Sequence, residues 1–349
     1  MSEPSLIGFA LGLKEAVVAL CSRRCGLTRR ALHRMGAAGA TVVLTYHHIG
    51  PASGATPCIR ALASAGMTMT PNSFARQMRL IAKHFAVISL KEFLAARSGA
   101  LVLPRNPILL TFDDGFRDTM TYAAPILASH GFRGVFSLVG CQLARESLAP
   151  LFALYHHAGF RLPVGRSRSM RERKPSAASM ALDEFGRLRR TVIWGGRNVA
   201  GLAQRLGISQ AEEHEAVERL FIGPAEAAAL ANCGHEIAAH GWEHLMCSRL
   251  SRDEFRQDVR RTLKAIERAG CAPPAAFVHP YGTCDSFDGR AAEILYQEGF
   301  QCAFTSIEGV NDKMAPIFAL RRVQADPVRD DVLLRRLTGA RENRNSSRS

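Results

Sequence analysis

Three short clusters in this sequence carry groups able to do hydrolytic chemistry: Asp113-Asp114, His240 with His244, and His47-His48. A fourth, His279-Pro280-Tyr281, has the same placement directly after an apolar run. Adjacent carboxylates repel, so a buried pair needs a cation or a bound proton. Where a strand passes into a loop, neighbouring side chains diverge, so one Asp can ligate a metal while the other works as a base. His240 and His244 stand four residues apart, and on a helical turn both imidazoles share a face and can grip one ion. Two neutral imidazoles and one carboxylate leave positions open for water or substrate, the pattern of a catalytic centre, where an ion acidifies water and polarises a carbonyl. A turn Asp-Gly and two surface histidines are the plain structural alternatives.

The runs around these clusters must position them. Thr41–Tyr46, Ile108–Thr111, Gly134–Val139, Glu236–Ala239, Ala275–Val278, Cys302–Thr305 and Ala319–Val323 are apolar, of strand length, and several are rich in β-branched residues. Helical spacing marks Pro71–Phe85, Leu90–Ala96, the stretch around Tyr122–Ser129, Pro224–Asn232, Asp253–Arg268 and Ala291–Glu298. Strands alternating with helices predict a parallel sheet with crossovers, whose strand C-termini converge on one face. Residues 50–70, rich in Gly, Pro, Ala and Ser, read as a loop.

Between 147 and 221 the rhythm stops: Leu182–Leu206 and Ala211–Leu220 are helical in pattern, and Arg161–Lys174 is basic and irregular. This reads as a helical insertion on an α/β barrel, placed where lids and specificity walls form. Residues 1–40 read as an N-terminal helical extension, with Leu6, Phe9, Leu13, Val17 and Leu20 on one face and Arg23, Arg24, Arg29, Arg30 and Arg34 following. The polar tail, 339–349, is predicted to be disordered.

Charge is the unusual feature of composition. Lys+Arg is 45 against Asp+Glu 31, a net charge of +14, and lysine supplies only six of the basic residues. Such a surface suggests an anionic partner: a phosphate, an anionic lipid or membrane surface, or nucleic acid. With no interleaved aromatic and basic motif, nucleic acid is not expected as a partner. The nine cysteines form no CxxC pair, which argues against a disulfide scaffold and for a reducing cytoplasm. No secretory signal pattern and no long uncharged apolar run is seen, so the expected location is cytoplasmic, with peripheral attachment at the inner membrane face as a variant.

Taken together, Thr-Phe-Asp-Asp-Gly at 111–115, His-Gly-Trp-Glu-His at 240–244 and Pro-Tyr-Gly at 280–282 resemble the motifs of the polysaccharide deacetylase family, the NodB-homology group or carbohydrate esterase family 4. Tyr46-His47-His48-Ile49 is similar to the Tyr-His segment of one branch, and Gly234-His235-Glu236-Ile237 to the lead into the histidine motif. The likeness covers roughly 41–146 and 222–338. It implies a distorted (β/α) barrel over 41–338 and metal-dependent removal of an acetyl group, most often N-acetyl, from an amino sugar or glycan, here a candidate lipid- or nucleotide-linked precursor.

Carried over by position, Asp113 is the general base, and Asp114, His240 and His244 ligate a divalent metal, zinc first, with cobalt, nickel or iron as alternatives. The backbone N–H of Tyr281 helps hold the oxyanion. In the Tyr-His branch that the Tyr46–Ile49 segment resembles, the general acid is similar in position to His47, and the lack of a Leu-x-His after residue 300 favours that assignment. Two positions depart from the pattern: Val278 stands where the family often has an Arg that orients the base, and Gly241 where a Ser or Thr is usual. Arg322 is the candidate to supply the missing guanidinium. The departures also admit a second reading, a non-catalytic glycan- or glycolipid-binding member of the same fold.

Overall fold

Seven short strands close into a parallel barrel in the computed structural model of the protein. The structure describes residues 40–326 apart from 52–55, 65–66, 162–185, 194 and 196–200, together with residues 328, 333 and 337. The strands are β1 (Val42–Tyr46), β2 (His48–Ile49), β3 (Thr68–Met69), β4 (Ala86–Val87), β5 (Pro107–Phe112), β6 (Val135–Leu138), β7 (Glu236–Ala239), β8 (Ala276–Val278), β9 (Cys302–Glu308) and β10 (Leu320–Gln324). The ring runs β1-β10-β9-β8-β7-β6-β5 and closes from β5 back to β1; β4 pairs beside the start of β5, and β2 and β3 form a separate parallel pair. This is the expected distorted (β/α) barrel.

The helices are α1 (Pro57–Ser64), α2 (Pro71–His84), α3 (Leu90–Arg97), α4 (Ala124–Ser129), α5 (Gly140–Leu143), α6 (Pro150–Arg161), α7 (Leu202–Arg205), α8 (Gln210–Leu220), α9 (Pro224–Asn232), α10 (Arg252–Arg268) and α11 (Gly289–Gln297), with residues 186–193 also helical. No described helix is long and apolar enough to cross a membrane.

Residue alternation explains why the barrel is dry below and polar above. Val43, Leu109, Val135, Ala238 and Leu320 belong to one buried apolar cluster. Two residues further along each strand, on the same side of the pleat, stand Thr45, Thr111, Ser137, His240 and Arg322, all buried. Leu90 and Phe93 of α3 join the lower cluster, and the Glu236 carboxylate accepts the first N–H groups of that helix, from Leu90 at 2.7 Å and Lys91 at 3.0 Å. The larger cluster lies between the outer strand faces and the helices.

Three sequence expectations need correction or restriction. Residues 50–70 contain α1 and β3 rather than a loop. Cys58, Ile59, Ala61 and Leu62 give that short helix a buried face, which packs against α6 so closely that Gly159 lies against the Pro57 carbonyl. His240 and His244 do not share a helical turn: Gly241 (φ 74°) and His244 (φ 56°) are left-handed, and the segment is an irregular loop. The N-terminal extension up to residue 39, the stretch 162–185 and the tail 339–349 lie outside the described residues.

Candidate active site

The register of β1 against β5, Val42 opposite Ile108 through Tyr46 opposite Phe112, sets His47 beside Asp113 at the mouth of the barrel. The register of β1 against β10, Thr45 opposite Gln324, brings Asp326 to His47 from the other side. These strand ends, with the loops after β7 and β8, line a cavity of about 700 Å³ that contains Asp113, Asp114, His47, His240, His244, Tyr281 and Arg322. The seven residues given catalytic or metal-binding roles from the sequence therefore meet at one site.

Asp114, His240 and His244 are buried, and their candidate ligand atoms lie within 4.8 Å of one another. The Asp114 Oδ1 is 3.3 Å from His240 Nε2 and 3.4 Å from His244 Nε2. His240 Nδ1 lies 2.8 Å from the Val278 carbonyl; a carbonyl only accepts, so Nδ1 carries the proton and Nε2 presents its lone pair toward Asp114. That tautomer suits a metal ligand. The donor set of two imidazoles and one carboxylate in a buried cluster therefore fits a divalent cation. Burial disfavours the Asp114 charge, but the two imidazoles beside it, with His47, hold its carboxyl well below the usual range. Burial also lowers the His244 pKa, which favours the neutral ring a ligand needs.

The loop that presents these histidines is clamped at three points. The Gly140 and Cys141 N–H groups at the start of α5 each donate at 2.9 Å to the Gly241 and Trp242 carbonyls, and Trp242 N–H donates at 2.9 Å to Asp258 of α10. The Trp242 ring packs inside, with the Arg261 guanidinium 3.9 Å above it. Gly241 is required by its left-handed backbone: a Cβ there would also sit 3.2 Å from Asp258 Oδ1. Asp114, His244 and Tyr281 are themselves left-handed, at φ 70°, 56° and 63°. Three such non-glycine residues in one cleft are the kind of strain found at functional sites.

Arg322 supplies the guanidinium that Val278 lacks, from β10 instead of β8. Its Nη2 is 2.7 Å from Asp113 Oδ2 and its Nη1 2.9 Å from Oδ1, a bidentate fork; Nε donates to the Thr305 carbonyl at 2.6 Å and Nη1 to Thr111 at 3.1 Å. Ser137 donates to Asp113 Oδ1 at 2.9 Å and Thr45 to Oδ2 at 3.2 Å. Burial opposes the Asp113 charge, but Arg322 and the neighbouring histidines hold it ionised well below the usual carboxylate range.

His47 is held by a residue the sequence reading missed. Asp326 accepts its backbone N–H at 2.7 Å and lies 3.2 Å from Nδ1, which leaves Nε2 for the cleft. Burial pushes the His47 pKa down, but Asp326, then Asp114 and Asp113, overcome it and raise it to about 10. The position of Asp326 just beyond a predicted strand was the available signal. Thr45, Thr111 and Ser137 carried none beyond strand alternation.

The other strand-end histidines are engaged by neighbouring groups, His279 while also lining the cavity. His48 is 2.8 Å from Asp118. His279 stacks on Phe287 with centroids 4.5 Å apart, and its Nε2 is 3.1 Å from the Phe318 carbonyl while Cys247 Sγ is 3.6 Å from its Nδ1. Burial lowers the His279 pKa to about 4 and raises that of the Cys247 thiol, so the pair is neutral and not an activated nucleophile.

The family profile for polysaccharide deacetylase matches residues 102–303, more than half of the chain. No curated protein matches the sequence significantly. Among solved structures, the Streptococcus pyogenes deacetylase PplD in complex with acetate is similar in fold at TM-score 0.56 and 14% identity, over 85% of this chain and 98% of that one. IcaB from Ammonifex degensii is similar at TM-score 0.54 and 17% identity, over 86% of this chain and 97% of that one. BC0361, a polysaccharide deacetylase from Bacillus cereus, gives TM-score 0.52 and 14% identity, over 85% of this chain and 69% of that one. His47, Arg322 and Asp326 fall outside the profile match, so their link to the motif residues rests on the barrel's closure. With the match spanning the Asp-Asp, His-His and Pro-Tyr-Gly segments alike, the chain belongs to the polysaccharide deacetylase family.

Proposed function

We propose that this protein is a metal-dependent hydrolase that removes an N-linked acetyl group from an amino sugar within a glycan or glycan precursor. Family membership makes it a carbohydrate deacetylase; the convergence of Asp114, His240 and His244 beside Asp113 and His47 is the observation that carries the finer reading. Asp114, His240 and His244 would hold the divalent cation, which when bound supplies a Lewis acid for the acyl carbonyl and lowers the pKa of water.

The chain's own groups divide the rest of the work. Asp113 accepts the proton of the attacking water. Four donors crowd its carboxylate, and the longest contact, Thr45 at 3.2 Å, is the one a water can replace. Arg322 fixes the plane of that carboxylate. The backbone N–H of Tyr281 donates to the oxyanion of the tetrahedral intermediate. His47 Nε2 protonates the departing amine as the C–N bond breaks, giving acetate and a free amino sugar, and Asp326 keeps that ring charged and oriented.

The non-catalytic reading rested on Val278 and Gly241. Arg322 supplies the missing guanidinium and the left-handed backbone explains the glycine, so neither position argues against turnover. The cytoplasmic location and an anionic lipid surface as partner stay part of the proposal, on the support of cysteine usage and net charge.

The test is acetate release from N-acetylated chito-oligosaccharides with defined metals. Chelation is expected to abolish release and zinc to restore it. Asp113→Asn is expected to lower turnover by at least about 10²-fold with metal content unchanged. Undiminished release from that variant overturns the mechanism.

A further inference from the structure

One wall of the cleft is not made by the barrel. Arg189 and Ile193, from the helical residues 186–193 of the segment between β6 and β7, line the same cavity as the metal-ligand triad. Tyr155 on α6 lines the cavity as well, its phenol near enough to feel the Arg189 guanidinium. The Arg189 charge also reaches the phenol of Tyr281. The Tyr281 hydroxyl is buried in this cleft with no hydrogen-bond partner, while its ring packs on His244 with centroids 4.8 Å apart.

A buried hydroxyl without an acceptor is costly unless a ligand supplies one. Here it stands beside a guanidinium, whose planar fork has donors only. The Tyr155 hydroxyl donates to the Met67 thioether at 3.4 Å, a weak acceptor. One guanidinium and two phenols therefore offer donors to an acceptor-rich group, as phosphates and carboxylates are. The cleft's other guanidinium, Arg322, is bound to Asp113. With Arg322 bound to Asp113, the Arg189 wall is where a negative group meets a guanidinium while the acetyl group sits over the triad.

We propose that Arg189, with the phenols of Tyr155 and Tyr281, forms an anion subsite that selects acetylated sugars bearing a phosphate or carboxylate next to the acetylated residue. It rests on the deacetylase reading and adds to it the substrate class. Arg189 is a specificity residue.

The test compares the metal-loaded enzyme on three substrates: N-acetylglucosamine 1-phosphate, an N-acetylglucosaminyl-glucuronic acid disaccharide, and neutral diacetylchitobiose. Arg189→Gln is expected to raise KM about 10-fold or more on an anionic substrate, leaving kcat and the neutral substrate within about 2-fold. Arg189→Lys is expected to recover part of the loss. Whichever anionic arm responds more identifies the group as phosphate or carboxylate. Calorimetric titration of the protein with N-acetylglucosamine 1-phosphate gives a second readout, its Kd rising with KM in Arg189→Gln. Equal effects of Arg189→Gln on all three substrates, or none on any, overturn the subsite and leave the deacetylase intact. Release of acetate from none of the three by the wild type overturns the deacetylase reading itself, and the subsite with it.

Discussion

Asp113 and Arg322 show how a side chain's surroundings decide its chemistry. Both are buried, and the fork between them lets a carboxylate stay charged beside a second carboxylate. Removing one partner of a buried pair leaves the other uncompensated, typically at about 3–5 kcal/mol. Arg322→Ala is accordingly expected to lower the melting temperature by several degrees and kcat/KM by about 10²-fold or more. Arg322→Lys keeps the charge but loses the fork, so its kcat/KM should fall between the two; thermal melts and steady-state kinetics check both. Asp326 acts on His47 in the opposite sense, raising its pKa. With that carboxylate neutralised in Asp326→Asn, His47 should lose its proton at lower pH, and the alkaline limb of the kcat/KM profile should move down in pH. An unmoved limb would detach Asp326 from the general acid.

At the scale of elements, two close approaches carry the architecture. The first is the loop after β7, where helix α5 and Asp258 of α10 hold the chain in a shape no helix could give. Gly241→Ala places a side chain on a backbone of φ 74°, which costs roughly 1–3 kcal/mol and should also weaken zinc binding, read by competition with a chromogenic chelator. The second is the contact of α1 with α6. A Cβ on Gly159 would lie 1.8 Å from the Pro57 carbonyl, and that backbone atom has little room to retreat. Gly159→Ala should destabilise the protein by about 2 kcal/mol or more, read as a lower denaturant midpoint, and should loosen the Tyr155 wall that α6 carries.

For the whole molecule, part of the arginine content is woven into the fold as ion pairs. On α10, Arg252 pairs with Glu293 at 2.6 Å, Arg260 with Glu298 at 2.8 Å and Arg261 with Glu146 at 3.1 Å. These arginines fasten α10 to α11 and to the turn after α5, each exposed pair contributing little alone. The buried histidines set the acid response. Burial holds His279 and His235 to pKa values of about 4, below the ordinary 6.5. Between those values the unfolded chain binds protons that the native one refuses, so stability falls as pH drops from 6.5 toward 4. Melting temperature measured against pH should show that slope, and His279→Asn should flatten it.

What the sequence by itself determined was the chemistry and the class of fold. Alternating strand and helix patterns already meant a parallel sheet, since period 2 and period 3.6 leave distinct traces, and the motif resemblance implied its closure into a barrel. The strand-end placement of Asp113-Asp114, His240, His244, His47 and Tyr281 already meant a site, because parallel strands deliver their ends to one face. The apolar face of α1 was obscured by its Pro, Ala and Ser content, and the loop geometry of His240 and His244 by a spacing that suits a helix equally well. Only the tertiary structure decided which arginine serves Asp113 and which acid serves His47. Both choices depend on the register at which β1 meets β5 and β10. That register is set by long-range packing between residues more than 60 positions apart along the chain, and no local pattern records it.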